Sequence, residues 1–264
     1  MTTETLSINK RKRLAQLDKR KYRLEYGLFA VEGTKAFQEI LNTNHYHLQT
    51  VVATRQWLEH HELPEIAGCE ILVATSKDMT MLSSLVNAPD IIGFFNLSDE
   101  NNQISVEGLK GKLSVVLDGV QDPGNLGTII RLCDWWGVEN LICSSSTADC
   151  YAPKVVQATM GALGRVNVLR TDSLEKLLGE CKSCGLPLFG TFMNGEDVFR
   201  SELPDRGLLL MGSEGKGISE ALIPMVDRRL TIPPYPSDNS HVESLNVATA
   251  TAILLGQFRY GSRH

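Results

Sequence analysis

Five residues in three separated stretches have the types and settings that chemistry needs. In "LDGVQDPGNLGTIIR" (residues 117–131) an apolar segment runs into Asp, Gly, Gln, Asp, Pro, Gly and Asn, and a helical pattern begins at once. Pro123 presets φ and Gly124 allows positive φ, so the pair makes a turn. Asn125 then stands where a helix N-cap belongs. Arg131 is placed opposite the apolar stripe Leu126, Ile129, Ile130, Cys133 and Trp136, on the side of Gly127, Thr128 and Asp134. A guanidinium held one to two turns above a helix start can hold a phosphate or a developing oxyanion. The second stretch, "GSEGKG" (212–217), lets backbone approach a ligand closely. It is neither a GxxxxGK loop followed by Ser or Thr nor GxGxxG, so the common nucleotide fingerprints are absent. Glu214 within it would repel a phosphate and suits a cationic or hydroxyl-bearing ligand. The third stretch, "ESLNV", puts Ser244 and Asn246 at another helix start, one of them as its cap. Taken singly, Asn125 is equally a plain cap and Arg131 a solvated charge.

The elements that must position these residues are strands alternating with helices, the pattern of a parallel α/β sheet. From Leu113 onward the strands are "LSVVLDGV", "ENLICSS", "LPLFGTF", "RGLLLMG" and "RRLTIP". The helices are "NLGTIIRLCDWWG", "APKVVQATMGAL", "SLEKLLGECKSCG", a short "ISEALIPMV" and the closing "SLNVATATAILLGQF". "LSVVLDGV" is unbroken in its apolar run, as expected where both faces of a sheet are covered. In such sheets ligands lie beyond the carboxyl ends of the strands, and the three special loops all leave strand ends. In the closing helix Ala248, Ala252 and Gly256 form a smooth stripe suited to tight internal packing or to a dimer interface. A smaller α/β domain precedes: a basic helix and strand to Gly33, then "KAFQEILNTN", "LQTVVAT", "RQWLEHH", "EILVAT", "KDMTMLSSLV" and "DIIGFFNL". The boundaries are 1–97 for this domain, 98–112 for a polar linker without period, and 113–264 for the larger domain.

Composition places the chain among globular proteins, with 264 residues, 42% apolar and 22% charged. There is no apolar run of about 18 residues, so no transmembrane helix is expected. The start "MTTETLSINKRKR" has no apolar core of a secretory signal, and a cytoplasmic location is expected. The net charge of −5 is uneven: residues 1–23 carry Lys10, Arg11, Lys12, Arg13, Lys19, Arg20, Lys21 and Arg23 against Glu4 and Asp18, a net of +6 that leaves −11 elsewhere. A basic arm on an acidic body is suited to a polyanion, and also to a merely solvated helix face. The six cysteines are read as reduced thiols. "CKSC" (181–184) lacks the further ligands that zinc needs and lies late in a helical pattern, so no metal site is expected.

At these residues the chain resembles the SpoU/TrmH family of RNA ribose 2′-O-methyltransferases, within the SPOUT superfamily. The resemblance is carried in order by "LDGVQDPGNLGTIIRLCDWWGV", "LLLMGSEGKGIS" and "TIPPYPSDNSHVESLNVATATAIL", and covers about residues 113–260. The first part of the chain looks, more loosely, like the small RNA-binding domain of the ribosomal-protein L30e fold. The resemblance implies a mostly parallel sheet with a C-terminal trefoil knot, a homodimer, and S-adenosylmethionine as methyl donor without a metal. It implies Asn125, Arg131, Glu214, Ser244 and Asn246 as catalytic residues. Gly212, Ile232 and Leu245, with Thr191 as a further candidate, would hold the donor. The eight cations of residues 10–23 would contact RNA, ribosomal RNA in preference to transfer RNA. Two departures stand out: the extra residues "YPSDNSHV" (235–242), and Gln157 and Thr159 where members often have Arg and Ser. Because guanidinium stays protonated, the expected role of Arg131 is to stabilise the alkoxide and bind a neighbouring phosphate. The proton would leave to phosphate, to water or to Glu214. The rival readings are a transfer-RNA enzyme, methylation of a base or a protein instead of ribose, and an inactive RNA-binding or assembly factor.

Overall fold

The computed structural model describes residues 3–98, 105–235 and 244–261. Contacts divide the chain into two compact units, residues 1–101 with 149–165, and residues 102–148 with 166–264. The first unit is built from β1 (Thr3–Thr5), α1 (Ile8–Ala15), α2 (Arg20–Tyr26), β2 (Leu28–Glu32), α3 (Thr34–Thr43), β3 (Leu48–Thr54), α4 (Arg55–His60), β4 (Glu70–Ala74), α5 (Ser76–Leu82) and β5 (Ile91–Asn96). The second begins with α6 (Val106–Leu109), β6 (Leu113–Asp118), α7 (Pro123–Trp135) and β7 (Asn140–Ser144). Helix α8 (Pro153–Thr159) then falls in the first unit, and the chain returns to the second with β8 (Asn167–Thr171), α9 (Leu174–Ser183), β9 (Leu188–Asp197), β10 (Gly207–Gly212), β11 (Arg228–Thr231) and α10 (Val247–Tyr260).

In the first unit the sheet order is β1-β4-β3-β5-β2; β5 runs antiparallel to both its neighbours and the other pairs are parallel. Local chemistry sets the element ends. Ser7 caps α1 and Thr54 caps α4, while Thr75 and Asp78 form a reciprocal capping box on α5. Asp78 also pairs with Arg11, tying α1 to α5. The expected single basic helix is interrupted by a 3-10 turn at Gln16–Asp18, and Gly27, at φ 65, ends α2 in the left-handed region that glycine tolerates.

The interruption has a purpose that the charge pattern hid. Arg23 is buried, with Nη1 donating to the carbonyls of Leu17 (2.8 Å) and Asp18 (2.9 Å) and Nη2 donating to Asp149 Oδ2 at 2.7 Å. Close by, the Tyr151 ring lies 4.9 Å from that of Phe29 and edge-on to Tyr46, and its hydroxyl shares a hydrogen bond with Ser98. Arg165 closes the segment by donating to Glu39 at 2.8 Å. Residues 149–165 are therefore part of this unit's core, although they lie between two strands of the other sheet.

In the second unit six parallel strands take the order β11-β9-β10-β6-β7-β8. The central strands β6 and β10 are buried almost throughout, in agreement with the unbroken apolar run. Helix α9 sets Leu174, Leu177, Leu178 and Cys181 against Val116, Ile142, Leu188, Leu208 and Leu210. Each such fully buried leucine contributes about 1.5–3 kcal/mol relative to exposure. Helix α10 packs with α7; Trp136 lies against Gly256, where an added Cβ would sit 3.4 Å from the indole, so at that point the small-residue stripe serves internal packing. Strand β9 bulges: β11 pairs with Phe189 and Gly190, then resumes at Glu196 and Asp197.

Several expectations change. Strands β1 and β8 were not anticipated, since "TET" and "NVLRT" lack a long apolar run. The helix expected over "ISEALIPMV" is only a 3-10 turn at Ile223–Met225, because Pro224 has no N–H to continue it. The linker contains α6, and its residues 99–104 lie outside the described residues. All six cysteines are free. Burial pushes the Cys143 thiol up to about 12 and the Cys181 thiol up to about 11, which leaves both inert. No described helix is long and apolar enough to cross a membrane.

The buried guanidinium generates a test. Asp149→Ala removes the carboxylate facing Arg23 and should destabilise the first unit by about 3 kcal/mol, the cost of stranding a buried charge. Urea unfolding should show a lower midpoint at unchanged slope. An unshifted midpoint would mean that the ion pair contributes nothing.

Candidate active site

All strands of the second sheet run the same way, so their carboxyl ends meet at one edge. Register places Asp118, the last residue of β6, beside Gly212, the last of β10. The glycine turn that follows is closed by two backbone bonds, Ser213 N–H to Gly217 at 3.0 Å and Gly217 N–H to Ser213 at 2.9 Å. A Cβ on Gly212 would lie 2.1 Å from the carbonyl carbon of Gly217, so only glycine fits. The Asp118 carboxylate accepts from Ser219 N–H at 2.7 Å and fastens this turn to β6.

Helix α7 is capped by Asp122, whose Oδ1 accepts from Asn125 N–H at 2.8 Å, with Pro123 at the first helical position. This corrects the expectation that Asn125 is the cap. Asn125 lies within the first turn, and its side chain is free for another task. The cap of α10 is Asn246, whose Oδ1 accepts from the N–H groups of Ala248 (3.0 Å) and Thr249 (3.2 Å). Its Nδ2 donates to Asn125 Oδ1 at 2.8 Å, and Asn125 Nδ2 donates to Glu214 Oε1 at 2.7 Å.

The direction of this relay is forced. The start of α10 offers only donors, so Asn246 must present its oxygen there and its nitrogen on the other side. Asn125 must then meet that nitrogen with its oxygen, which turns its own nitrogen toward an acceptor. Glu214 Oε1 supplies that acceptor and completes the chain. One residue from each of the three sequence stretches is thereby joined, and each bond polarises the next.

The remaining expected residues are not part of the relay. Leu245 is 47% exposed beside Asn246, Ile232 is half-buried just past β11, and Thr191 donates its hydroxyl to Leu210 O at 3.4 Å. Ser244 is exposed. Arg131 is exposed on α7 and is not drawn into the relay; among the described residues its guanidinium has no hydrogen bond or ion pair. The extra residues 236–242 lie outside the described residues. Of the eight arm cations, Arg23 is withdrawn from the surface by burial, which corrects its expected place among RNA contacts. Lys10 pairs with Glu70 at 2.6 Å, Arg11 with Asp78, and Arg20 approaches Asp149 at 3.8 Å. The Arg13 guanidinium stacks 4.5 Å over the Tyr26 ring, while Lys12, Lys19 and Lys21 are exposed. Asp118 and Asp122 were missed; the Asp-Pro pair at a helix start was the available signal for Asp122.

A parallel α/β unit with three glycine- and amide-bearing loops joined at its strand ends defines a class, and comparison names it. The chain belongs to the SpoU rRNA Methylase family, whose model matches residues 112–256, and residues 9–93 match the MRM3-like substrate binding domain. It is 35% identical over 146 residues to the 23S rRNA (guanosine(2553)-2'-O)-methyltransferase RlmP of Bacillus subtilis, which covers 55% of this chain and 57% of that protein. The match thus spans little more than half the length of that relative. Among solved structures, one described as an RNA methyltransferase of the TrmH family, from Porphyromonas gingivalis, is 37% identical with a TM-score of 0.87, covering 98% of this chain and all of that one. The AdoMet-bound rRNA methyltransferase of Sinorhizobium meliloti is 26% identical with a TM-score of 0.83, covering 98% of each chain.

The relay's polarity can be tested. Asn125→Asp sets a carboxylate against Glu214 and should lower Tm at pH 7, with partial recovery at pH 4. Like charges raise one carboxyl's pKa, and below it that carboxyl is protonated and can donate again. A loss of the same size at both pH values would show that Asn125 is not a donor to Glu214.

Proposed function

We propose that this protein transfers a methyl group from S-adenosylmethionine to a ribose 2′-hydroxyl of RNA, ribosomal RNA in preference to transfer RNA. The observation that carries the reading is the hydrogen-bonded chain from Asn246 through Asn125 to Glu214, which unites the three loops of the family's motifs at one sheet edge. Family membership supports it, as do the rRNA activity in the name of the Bacillus subtilis relative and the donor in the Sinorhizobium meliloti structure.

The residues present fit the donor. Leu245 and Ile232 offer apolar surface to an adenine ring, the tight turn from Gly212 offers close backbone approach, and Glu214 offers a carboxylate toward a cationic ligand. Bound there, S-adenosylmethionine supplies a methyl group already activated on a sulfonium. The chain's own task is to orient the acceptor hydroxyl and manage its proton. Alignment of reacting atoms at about 3–3.5 Å accounts for much of such an acceleration. Glu214 Oε1 is held by Asn125, which leaves Oε2 to accept a proton or a hydroxyl hydrogen bond. Arg131 stabilises negative charge on the ribose oxygen and holds an adjacent phosphate. Its exposure suits a site completed by RNA and by a second copy of the chain, and a cytoplasmic homodimer with the family's C-terminal knot belongs to this reading.

In the first unit, the exposed cations Lys12, Lys19 and Lys21 with Arg13 form the RNA-facing part of the arm, whereas Arg23 is structural. Two outcomes check the reading. Arg131→Lys keeps the charge but loses the planar fork, and should lower kcat about a hundredfold with donor affinity intact; near-normal turnover in a methyl-transfer assay would remove the fork's role. Replacing Lys12, Lys19 and Lys21 by Ala should weaken RNA binding and reduce its salt slope by about 2–3. An unchanged slope would place the RNA elsewhere.

A further inference from the structure

The turn that launches α7 is held from its other side by a polar cluster that lies in none of the three motif stretches. Ser144, the last residue of β7, is buried, and its Oγ accepts from Gly119 N–H at 3.0 Å. Thr147, also buried, donates its hydroxyl to Leu117 O at 3.2 Å. It must therefore accept from Ser144, whose Oγ lies 3.0 Å away, and Ser146 then donates to Ser144 over 2.9 Å. Ala148 N–H donates to Val120 O at 2.9 Å. Residues 117, 119 and 120 are thus each bonded to the loop 144–148. Gly119 sits at φ 76, and a Cβ there would lie 3.3 Å from Ser146 Oγ, so the two segments pack closely.

A loop of sequence "SSSTA" has little of its own to hold it in shape. Arg170, from β8, supplies what it lacks. Its Nη1 donates to the carbonyls of Ser144 (3.3 Å) and Ser145 (2.8 Å), and its Nη2 to those of Thr147 (2.9 Å) and Ala148 (2.8 Å). One planar fork spans four acceptors, which an ammonium, a point charge, does not.

We infer that Ser144 and Arg170 are positioning residues for methyl transfer. They fix the backbone of residues 117–120, hence the direction in which α7 leaves Asp122, hence the placement of Asn125 and Arg131. The inference rests on the proposed function for its activity readout. The donor-facing residues Gly212, Ile232 and Leu245 belong to other loops, so loosening this cluster acts on turnover and leaves the donor in place.

The test uses the full chain with Arg170→Lys, Ser144→Ala and the double variant, and Leu178→Ala as a control that weakens the α9 core without removing any hydrogen bond of the cluster. The expected result is a kcat lowered about tenfold or more in each single variant, with donor affinity by calorimetry changed less than about twofold. The double variant should fall little below either single one, because both act through the same turn. Hydrogen exchange of the peptide over residues 117–125 should accelerate in the variants and stay native in Leu178→Ala. Wild-type kcat in both single variants, or losses that only follow the unfolded fraction as in the control, would overturn the inference. Should the wild-type chain transfer no methyl group at all, the proposed function fails on its own. Exchange then still decides, since unchanged protection over 117–125 in Arg170→Lys refutes the positioning role. Ser144→Ala, the milder change, keeps the test open if Arg170→Lys does not fold.

Discussion

The first amides of α10 need an acceptor, and the way that need is met orders the whole edge of the sheet. A serine or aspartate would cap the helix equally well. An amide differs because it has a second, opposite end that donates. Asn246 passes this polarity to Asn125 and Asn125 passes it to Glu214, so a helix terminus in the last motif dictates the orientation of a carboxylate in the second. Nothing in the chain needs to recognise Glu214 as acidic beforehand; the hydrogen-bond count leaves room for an acceptor and for nothing else.

Such a relay works only if its three origins arrive within hydrogen-bond reach. The parallel register does this coarsely, by setting Asp118 beside Gly212. Finer placement comes from small devices: Asp122 starts α7, the closed turn from Gly212 to Gly217 keeps Glu214 at the rim, and Asp118 ties that turn down through Ser219. The segment leaving β6, residues 117–120, is held in its turn by Ser144 and Thr147, whose own loop is braced by Arg170. The segment that leads from β6 into α7 is therefore clamped by bonds to backbone groups on the Ser144–Ala148 side and through Asp118 to Ser219, an arrangement suited to holding geometry to fractions of an ångström.

Much of this was legible in the residues. Alternating apolar strands and amphipathic helices announced the parallel sheet, and three loop stretches in order announced the family. What was missed has physical reasons. Asn125 was given the cap because Asn is a good cap, yet the Pro at 123 marks the first helical residue and hands the cap to Asp122. Strand β8 is a sheet-edge strand with half-buried and exposed residues, so it lacks the apolar run that reveals β6. Arg23 looked like its neighbours in the basic arm. Only the fold shows that its partner, Asp149, comes from 126 residues away. Arg170 was equally silent, because a side chain that serves four carbonyls leaves no mark in a pattern of side-chain types.

The segment 149–165 has a consequence for modularity. Because it is built into the first unit while its flanking strands β7 and β8 belong to the second, the chain passes between the units three times rather than once. A first unit exchanged between relatives by cutting at a single linker would leave behind the aspartate that neutralises its buried arginine and the tyrosine that completes its aromatic core. The two halves are spliced, not strung, and must diverge together: any lineage that rebuilds the core of the first unit inherits a constraint written into a crossover of the second unit's sheet.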